Sequence, residues 1–274
     1  MKKTPFDTIY SKCSVPETLK PLLPRKWEMI GTDAILKLRD ELYAYEEEIG
    51  EIYSKVLGAK SVYAVTGRIQ GTYRKPSLKL IYGRGGETVH SENGVRFVLD
   101  AAKVMFSSAN HDERMRMAGL DCAGETIVDM FAGIGHLSMP IAVHSSPRRI
   151  LAAEADSDTF GFLLKTIRAN SVEDVYEPVN ADNRQIDERD ADRVIMGYLE
   201  NTEEWLPHAI AMCRSGATIH LHSAVPRRGS ADWGRHLQER WGSHRGRKLI
   251  VRQVRRVKGY SALLDHMVAD IEVM

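Results

Sequence analysis

The stretch Thr126-Ile-Val-Asp-Met-Phe-Ala-Gly-Ile-Gly-His-Leu-Ser-Met-Pro-Ile-Ala142 leaves this chain few folds to choose from. Thr126 to Phe131 is an apolar, β-branched run that reads as a buried strand, interrupted near its end by Asp129. Ala132 to Gly135 are small, so the backbone there can turn sharply and lie against a ligand. His136 to Val143 resumes with helical spacing, its apolar face made by Leu137, Ile141 and Ala142. Strand, glycine turn and helix in that order present backbone N–H groups to a nucleotide or nucleoside in an α/β sheet.

Only Gly133 and Gly135 of a dinucleotide-type G-x-G-x-x-G are present, Ser138 standing at the third glycine. Arg149 to Ala155 reads as a second strand with Glu154 near its end, 19 residues beyond Gly135. That is where an α/β nucleoside site holds ribose hydroxyls. An adenosine ligand without a pyrophosphate fits better than NAD, and S-adenosylmethionine is the obvious candidate.

With 274 residues the chain can bury a full core, with room for one large domain and a small one. No run reaches the apolar length of a membrane span, and the N-terminus lacks a signal-peptide core, so no membrane is expected. Cys13, Cys122 and Cys213 are far apart, which argues against a zinc site or disulfides and for a reducing cytoplasm. His220 and His222 share one strand face with no third ligand, so no metal is expected. Net charge is only +1, but Val225 to Lys258 holds eleven Lys/Arg against Asp232 and Glu239. Such a local excess attracts polyanions. Within it Arg252, Arg255, Arg256 and Lys258 lie on a strand and its exit, and are the candidate RNA contacts.

In chain order, residues 1–20 read as an irregular arm. That arm opens a small α+β N-terminal domain, residues 1–100, with a helix over Glu41 to Leu57 and a hairpin turning at Glu92-Asn-Gly94. From residue 101 to 274, strands and helices alternate, among them a helix over Ser157 to Asn170, and Asn110-His-Asp-Glu113 resembles a capping box. The last two strands, Leu249–Val257 and His266–Val273, have too short a connection to be parallel neighbours. The expected fold is therefore α/β: a Rossmann-like, doubly wound sheet with an antiparallel last strand, the class I methyltransferase architecture.

Several stretches together resemble one lineage: Leu23-Pro-Arg-Lys-Trp27, Glu48-Ile-Gly-Glu-Ile-Tyr53, Glu87-Thr-Val-His90, Glu92-Asn-Gly-Val-Arg-Phe97, Met105-Phe-Ser-Ser108, Asp129-Met-Phe-Ala-Gly-Ile-Gly135 and Arg255-Arg-Val-Lys-Gly-Tyr260. It contains the archaeal-type tRNA (guanine-37-N1)-methyltransferases and the related wybutosine-synthesising enzymes. The resemblance implies a cytoplasmic, monomeric tRNA-processing transferase with S-adenosylmethionine as co-substrate. Two chemistries compete within the lineage. One moves the methyl group; the other moves the 3-amino-3-carboxypropyl group onto 4-demethylwyosine at position 37 of tRNA-Phe, a step of wybutosine biosynthesis.

Three departures favour the aminocarboxypropyl transferases. Nitrogen methyltransferases carry an amide-and-proline motif after strand four, where this chain reads Met196-Gly197-Tyr198. Phe106-Ser-Ser-Ala-Asn110 is similar to the transferases' Phe-Ser-Ser-Gly-Asn. The chain also begins almost at the small α+β unit, without the methyltransferases' extra N-terminal domain. The alternatives are the guanine-37 methyltransferase, a small-molecule methyltransferase and an inactive RNA-binding relative.

The resemblance also implies roles. Ser107 and Arg114 contact the cofactor's amino-acid end, Arg114 pairing with its carboxylate. Gly133 and Gly135 form the loop, Glu154 takes the ribose hydroxyls, and Asp182 and Asn183 meet the adenine. Met196, Gly197 and Tyr198 are candidate acceptor-pocket residues. No catalytic acid or base is assigned, because placement suffices for a sulfonium leaving group.

Overall fold

The computed structural model describes residues 3–274, which divide into two compact units. The first comprises residues up to Glu92 together with Arg96–Ser108. It opens with helix α1, Pro5–Lys12, inside the stretch read as an irregular arm. Thr4 Oγ1 accepts from the Asp7 N–H and Asp7 Oδ2 from the Thr4 N–H, a full capping box with proline in the first turn. Ile9, Cys13 and Val15 then bury in the unit's core beside Leu36, Ile49 and Tyr53. Polar composition hid a short amphipathic helix.

Strands β1 (Trp27–Ile30), β2 (Asp33–Leu36), β3 (Ser61–Val65) and β4 (Leu78–Tyr82) form a sheet in that order, with β2 and β3 parallel. The crossover between those two is helix α2, Glu46–Leu57, entered through a 3₁₀ segment, Asp40–Tyr45, rather than as one helix from Glu41. Gly58, left-handed at φ +70°, ends it. Strands β5 (Glu87–Glu92) and β6 (Val95–Asp100) make the hairpin, turning at Asn93 and Gly94, both with positive φ.

The second unit holds Asn93–Val95 and Ala109–Met274. Helix α3 (His111–Ala118) precedes β7 (Thr126–Asp129), helix α4 (Ser138–His144) and β8 (Arg149–Ala153). Helix α5 (Ser157–Asn170), β9 (Tyr176–Val179), β10 (Ala191–Met196), helix α6 (Leu206–Met212) and β11 (Cys213–Pro226) follow. Helix α7 (Trp233–Trp241), the short β12 (Ser243–His244), β13 (Arg247–Gly259) and β14 (Leu264–Val273) complete the chain. The eight-stranded sheet has the order β12-β13-β14-β11-β10-β7-β8-β9. β9, β8, β7, β10 and β11 are parallel, and β14 is antiparallel to both β11 and β13. The order reverses beside β7, so a crevice opens at the carboxyl ends of β7 and β10.

Parallel strands covered on both faces are apolar through their centres, and Ile127, Val128, Ile150, Val194, Ile195, Ile219 and Leu221 are fully buried. The cap expected at Asn110 is not made: its side chain gives no capping bond. Glu113, the residue that would close the box, is held instead by Arg116, whose Nε lies 2.9 Å from its Oε2. A charge-assisted, forked bond outcompetes a single backbone N–H.

Candidate nucleoside site at the switch point

The carboxyl end of β7 is built around a buried acid. Asp129 accepts from the Phe131 N–H at 3.2 Å and from Ser138 Oγ at 2.6 Å. Ser138 in turn lies 2.6 Å from the Tyr176 hydroxyl, which donates to it. The serine at the third glycine position therefore has a purpose: it closes Asp129 to the start of α4. Burial pushes the Asp129 carboxyl up to about 6, against the pull of Ser138 and the Phe131 N–H. A side chain at Gly135 would be strained, at φ +87° and with its Cβ 3.1 Å from Met139 and 3.3 Å from the Tyr176 hydroxyl.

Glu154 follows β8 and faces the glycine loop. Its Oε2 accepts the Gly133 N–H at 2.9 Å and its Oε1 the Asp156 N–H at 2.7 Å. Burial raises its pKa, opposed by those two backbone bonds. Each oxygen keeps a second lone pair for a hydroxyl donor. Gly133, Gly135 and Glu154 are thus brought together.

After β9, Asp182 caps a 3₁₀ turn, Asn183–Gln185, accepting from the Arg184 N–H. Arg184 also grips both carboxylate oxygens, at 2.8 and 2.7 Å, and that bond holds the Asp182 carboxyl below its usual range. Asn183 is buried, and its Oδ1 has no hydrogen-bond partner among the described residues. An orphaned acceptor on the turn after β9 fits an exocyclic amine, and the glycine cradle fits a nucleoside edge.

The three residues at the exit of β10 separate. Met196 is fully buried with Val128, Met130 and Leu206, so it is a core residue and not pocket lining. A side chain at Gly197 would meet Leu137 Cδ1 at 3.0 Å. Tyr198 stacks on Phe131, ring centroids 5.3 Å apart and planes 23° apart. Trp205 meets Phe131 edge-on at 6.0 Å, and the Arg184 guanidinium lies over Trp205 at 5.1 Å. Phe131 and Trp205 are half-buried. The sequence signals neither, because Phe131 reads as the end of a strand and Trp205 as a helix-face residue.

Arg114 is buried on α3, so it is no solvent-facing arginine. Ser107 lies in the first unit, where the neighbouring Ser108 N–H donates to Glu28 at 2.8 Å. The candidate RNA arginines are less open than their count implies. Arg252 pairs with Glu272, Arg255 with Asp270 at 2.8 Å and Arg256 with Asp265 at 3.0 Å. All three acids lie on β14, beyond the stretch that holds the basic excess. His220 and His222 are buried beneath α3: His220 Nδ1 lies 2.6 Å from Asp270, and His222 Nδ1 2.9 Å from His266. No metal-binding cluster occurs among the described residues.

The strand order, the glycine loop and the acid after β8 define a class I methyltransferase fold with a nucleoside-type cradle at its switch point. Residues 88–242 match the TRM5/TYW2 methyltransferase domain and residues 8–86 the TYW2 N-terminal domain, and the chain belongs to the TRM5/TYW2 family. It is 48% identical over 213 residues to the tRNA(Phe) (4-demethylwyosine(37)-C(7)) aminocarboxypropyltransferase of Pyrococcus horikoshii, covering 77% of this chain and 76% of that one. It is 33% identical over 262 residues to the tRNA (guanine(37)-N(1))-methyltransferase Trm5b of Pyrococcus abyssi, covering 95% and 78%. Among solved structures, P. horikoshii TYW2 in complex with MeSAdo matches with a TM-score of 0.88 at 39% identity, over 98% of each chain.

Proposed function

We propose that this protein is a tRNA-modifying transferase that moves the 3-amino-3-carboxypropyl group of S-adenosylmethionine onto 4-demethylwyosine at position 37 of tRNA-Phe. The observation that carries this reading is the exit of β10, where Gly197 and Tyr198 supply a small residue and an aromatic face in place of an amide and a proline. The match of the N-terminal unit to a TYW2 domain, and the higher identity to an aminocarboxypropyltransferase than to a methyltransferase, support the same branch.

S-adenosylmethionine supplies an electrophilic carbon on a sulfonium, already a good leaving group, so the chain's task is placement. Glu154 accepts from the ribose hydroxyls while holding the Gly133 N–H. Asn183 and Asp182 meet the adenine edge. Ser107 and Arg114 take the amino-acid end, the guanidinium pairing with the carboxylate and setting the direction of that arm. Attack by a ring carbon of the base on the methylene next to sulfur forms one carbon–carbon bond and breaks one carbon–sulfur bond. The electron pair stays on sulfur, 5′-methylthioadenosine leaves, and the ring proton is lost to solvent.

The enzyme works in the cytoplasm, as a monomer, without metal. The buried Cys13, Cys122 and Cys213 thiols suit a reducing compartment, and no described helix is long and apolar enough to cross a membrane. The test supplies S-adenosylmethionine labelled in the methyl or the carboxyl carbon, with tRNA-Phe carrying guanosine or 4-demethylwyosine at position 37. Carboxyl label in the demethylwyosine tRNA, with methylthioadenosine released, is expected. Methyl label in the guanosine tRNA would overturn the reading in favour of the methyltransferase.

A further inference from the structure

Between β3 and β4 the chain does not turn at once. Thr66 N donates to Ser77 O at 2.9 Å, and Gln70 and Lys75 exchange two backbone bonds of 2.9 Å, so the hairpin continues beyond the sheet as an ordered arm. Ser77 Oγ donates to Arg68 O at 2.8 Å and stiffens its base. The tip turns through Gly71 and Arg74, at φ +66° and +53°.

What this arm displays is unusual for a solvated loop. Ile69 and Tyr73 are 47% and 56% exposed, although large apolar side chains are ordinarily drawn inside. Residues 66–77 contain Arg68, Arg74 and Lys75 and no acid, in a chain whose total charge is almost balanced. Cations interleaved with an exposed aromatic are the combination that tracks a phosphate backbone and stacks an unpaired base. An acidic protein partner would satisfy the cations through carboxylates, whereas an unpaired base beside a phosphate meets the cations and the ring of Tyr73 together. The arm is also anchored: Arg74 Nη2 donates to Met105 Sδ at 3.5 Å, two residues before Ser107. It is therefore fixed against the segment that carries one of the candidate cofactor contacts.

We infer that the Gly67–Ser77 arm is an RNA-contacting element of the first unit, with Arg68 and Lys75 on phosphates and Tyr73 stacked on an unpaired base. This rests on the tRNA reading above. Arg74 is left out of the test because its bond to Met105 makes it structural.

The experiment measures binding of wild type, Arg68→Ala/Lys75→Ala, Tyr73→Ala and Tyr73→Phe to tRNA-Phe transcript at several salt concentrations, with S-adenosylmethionine affinity by calorimetry as the control for folding. The double variant should flatten the slope of log affinity against log salt by about 2, one for each phosphate no longer neutralised. Tyr73→Ala should weaken binding by roughly ten-fold at one salt concentration with the slope unchanged, and Tyr73→Phe should restore it. Wild-type slope in the double variant, or wild-type affinity in Tyr73→Ala, overturns the inference while leaving the transferase reading intact. Wild-type protein that fails to bind tRNA at all would instead remove the reading on which it rests.

Discussion

At the scale of single residues, the site is a set of acids whose environments differ. Glu154 has one oxygen on each of two backbone N–H groups, and the ribose bond proposed for it comes in addition to these. Replacing Glu154 with alanine should weaken S-adenosylmethionine binding by about 1.5–3 kcal/mol, because charge-assisted bonds disappear and the Gly133 loop loosens. Calorimetry on the folded variant checks this; unchanged affinity would take Glu154 out of the site. Asp129 behaves differently. Burial raises its folded pKa to about 6 from an ordinary 3.8, so the folded state holds a proton that the unfolded chain releases. The stability this contributes is fully present below about pH 3.8 and is lost as pH rises through about 6, on the order of 3 kcal/mol. Asp129→Asn should lack that dependence, so the stability difference between wild type and variant, followed by urea unfolding from pH 4 to 7, should change sign or slope over that window. A constant difference would show that Asp129 is not titrating there.

Among the elements, α3 is held to the sheet by buried polar groups more than by apolar ones. His222 reaches His266 on β14 at 2.9 Å and faces Glu113 of α3 at 3.6 Å. Asp270 of β14 joins His220 of β11 and Arg255 of β13, and Arg116 of α3 approaches it at 3.8 Å. Burial would raise the Asp270 carboxyl, but His220 and the arginines pull it well below the usual range. Burial, aided by Arg116, drives His222 down to about 3. His222 therefore stays neutral when folded, and its contribution to stability, present above about 6.5, is lost as pH falls toward 3. We expect His222→Leu to cost roughly 1–3 kcal/mol, since the buried His266 Nε2 loses that partner. His222→Leu/His266→Leu should recover much of this cost, a non-additivity visible in a double-mutant cycle by chemical denaturation. Additive costs would mean that the two rings are not coupled.

For the molecule as a whole, a net charge of +1 gives little general attraction to RNA, so binding must come from local surfaces. The pairing of β13 with β14 grades its arginines. Arg252 and Arg256 keep 57% and 54% of their side-chain surface exposed, whereas Arg255 keeps 24% and is locked to Asp270. Arg252→Ala and Arg256→Ala should each weaken tRNA binding and flatten its salt slope by about 1. Arg255→Ala should instead lower the unfolding midpoint with little change in slope. A filter-binding titration in salt, beside thermal unfolding, separates these outcomes; equal slope changes at all three positions would refute the grading.

Much of the fold is legible in the order of the amino acids alone. Periodicity places α5 over Ser157–Asn170, residue for residue, and the short final connection requires the antiparallel β14. Both are local: a helix face repeats every few residues, and a tight connection excludes a crossover. The glycine turn after β7 is legible for the same reason, since its constraint lies in the backbone of adjacent residues. What the tertiary structure alone decided are pairings that depend on how the chain packs. Glu113 went to Arg116 and not to a cap, and Met196 went into the core. The β13 arginines met acids on β14, and Phe131 after β7 met Tyr198 after β10. A charge or a ring can be counted along the chain, but its partner is chosen by which strands become neighbours, because hydrogen-bonded ion pairs and stacked rings form only at contact distance.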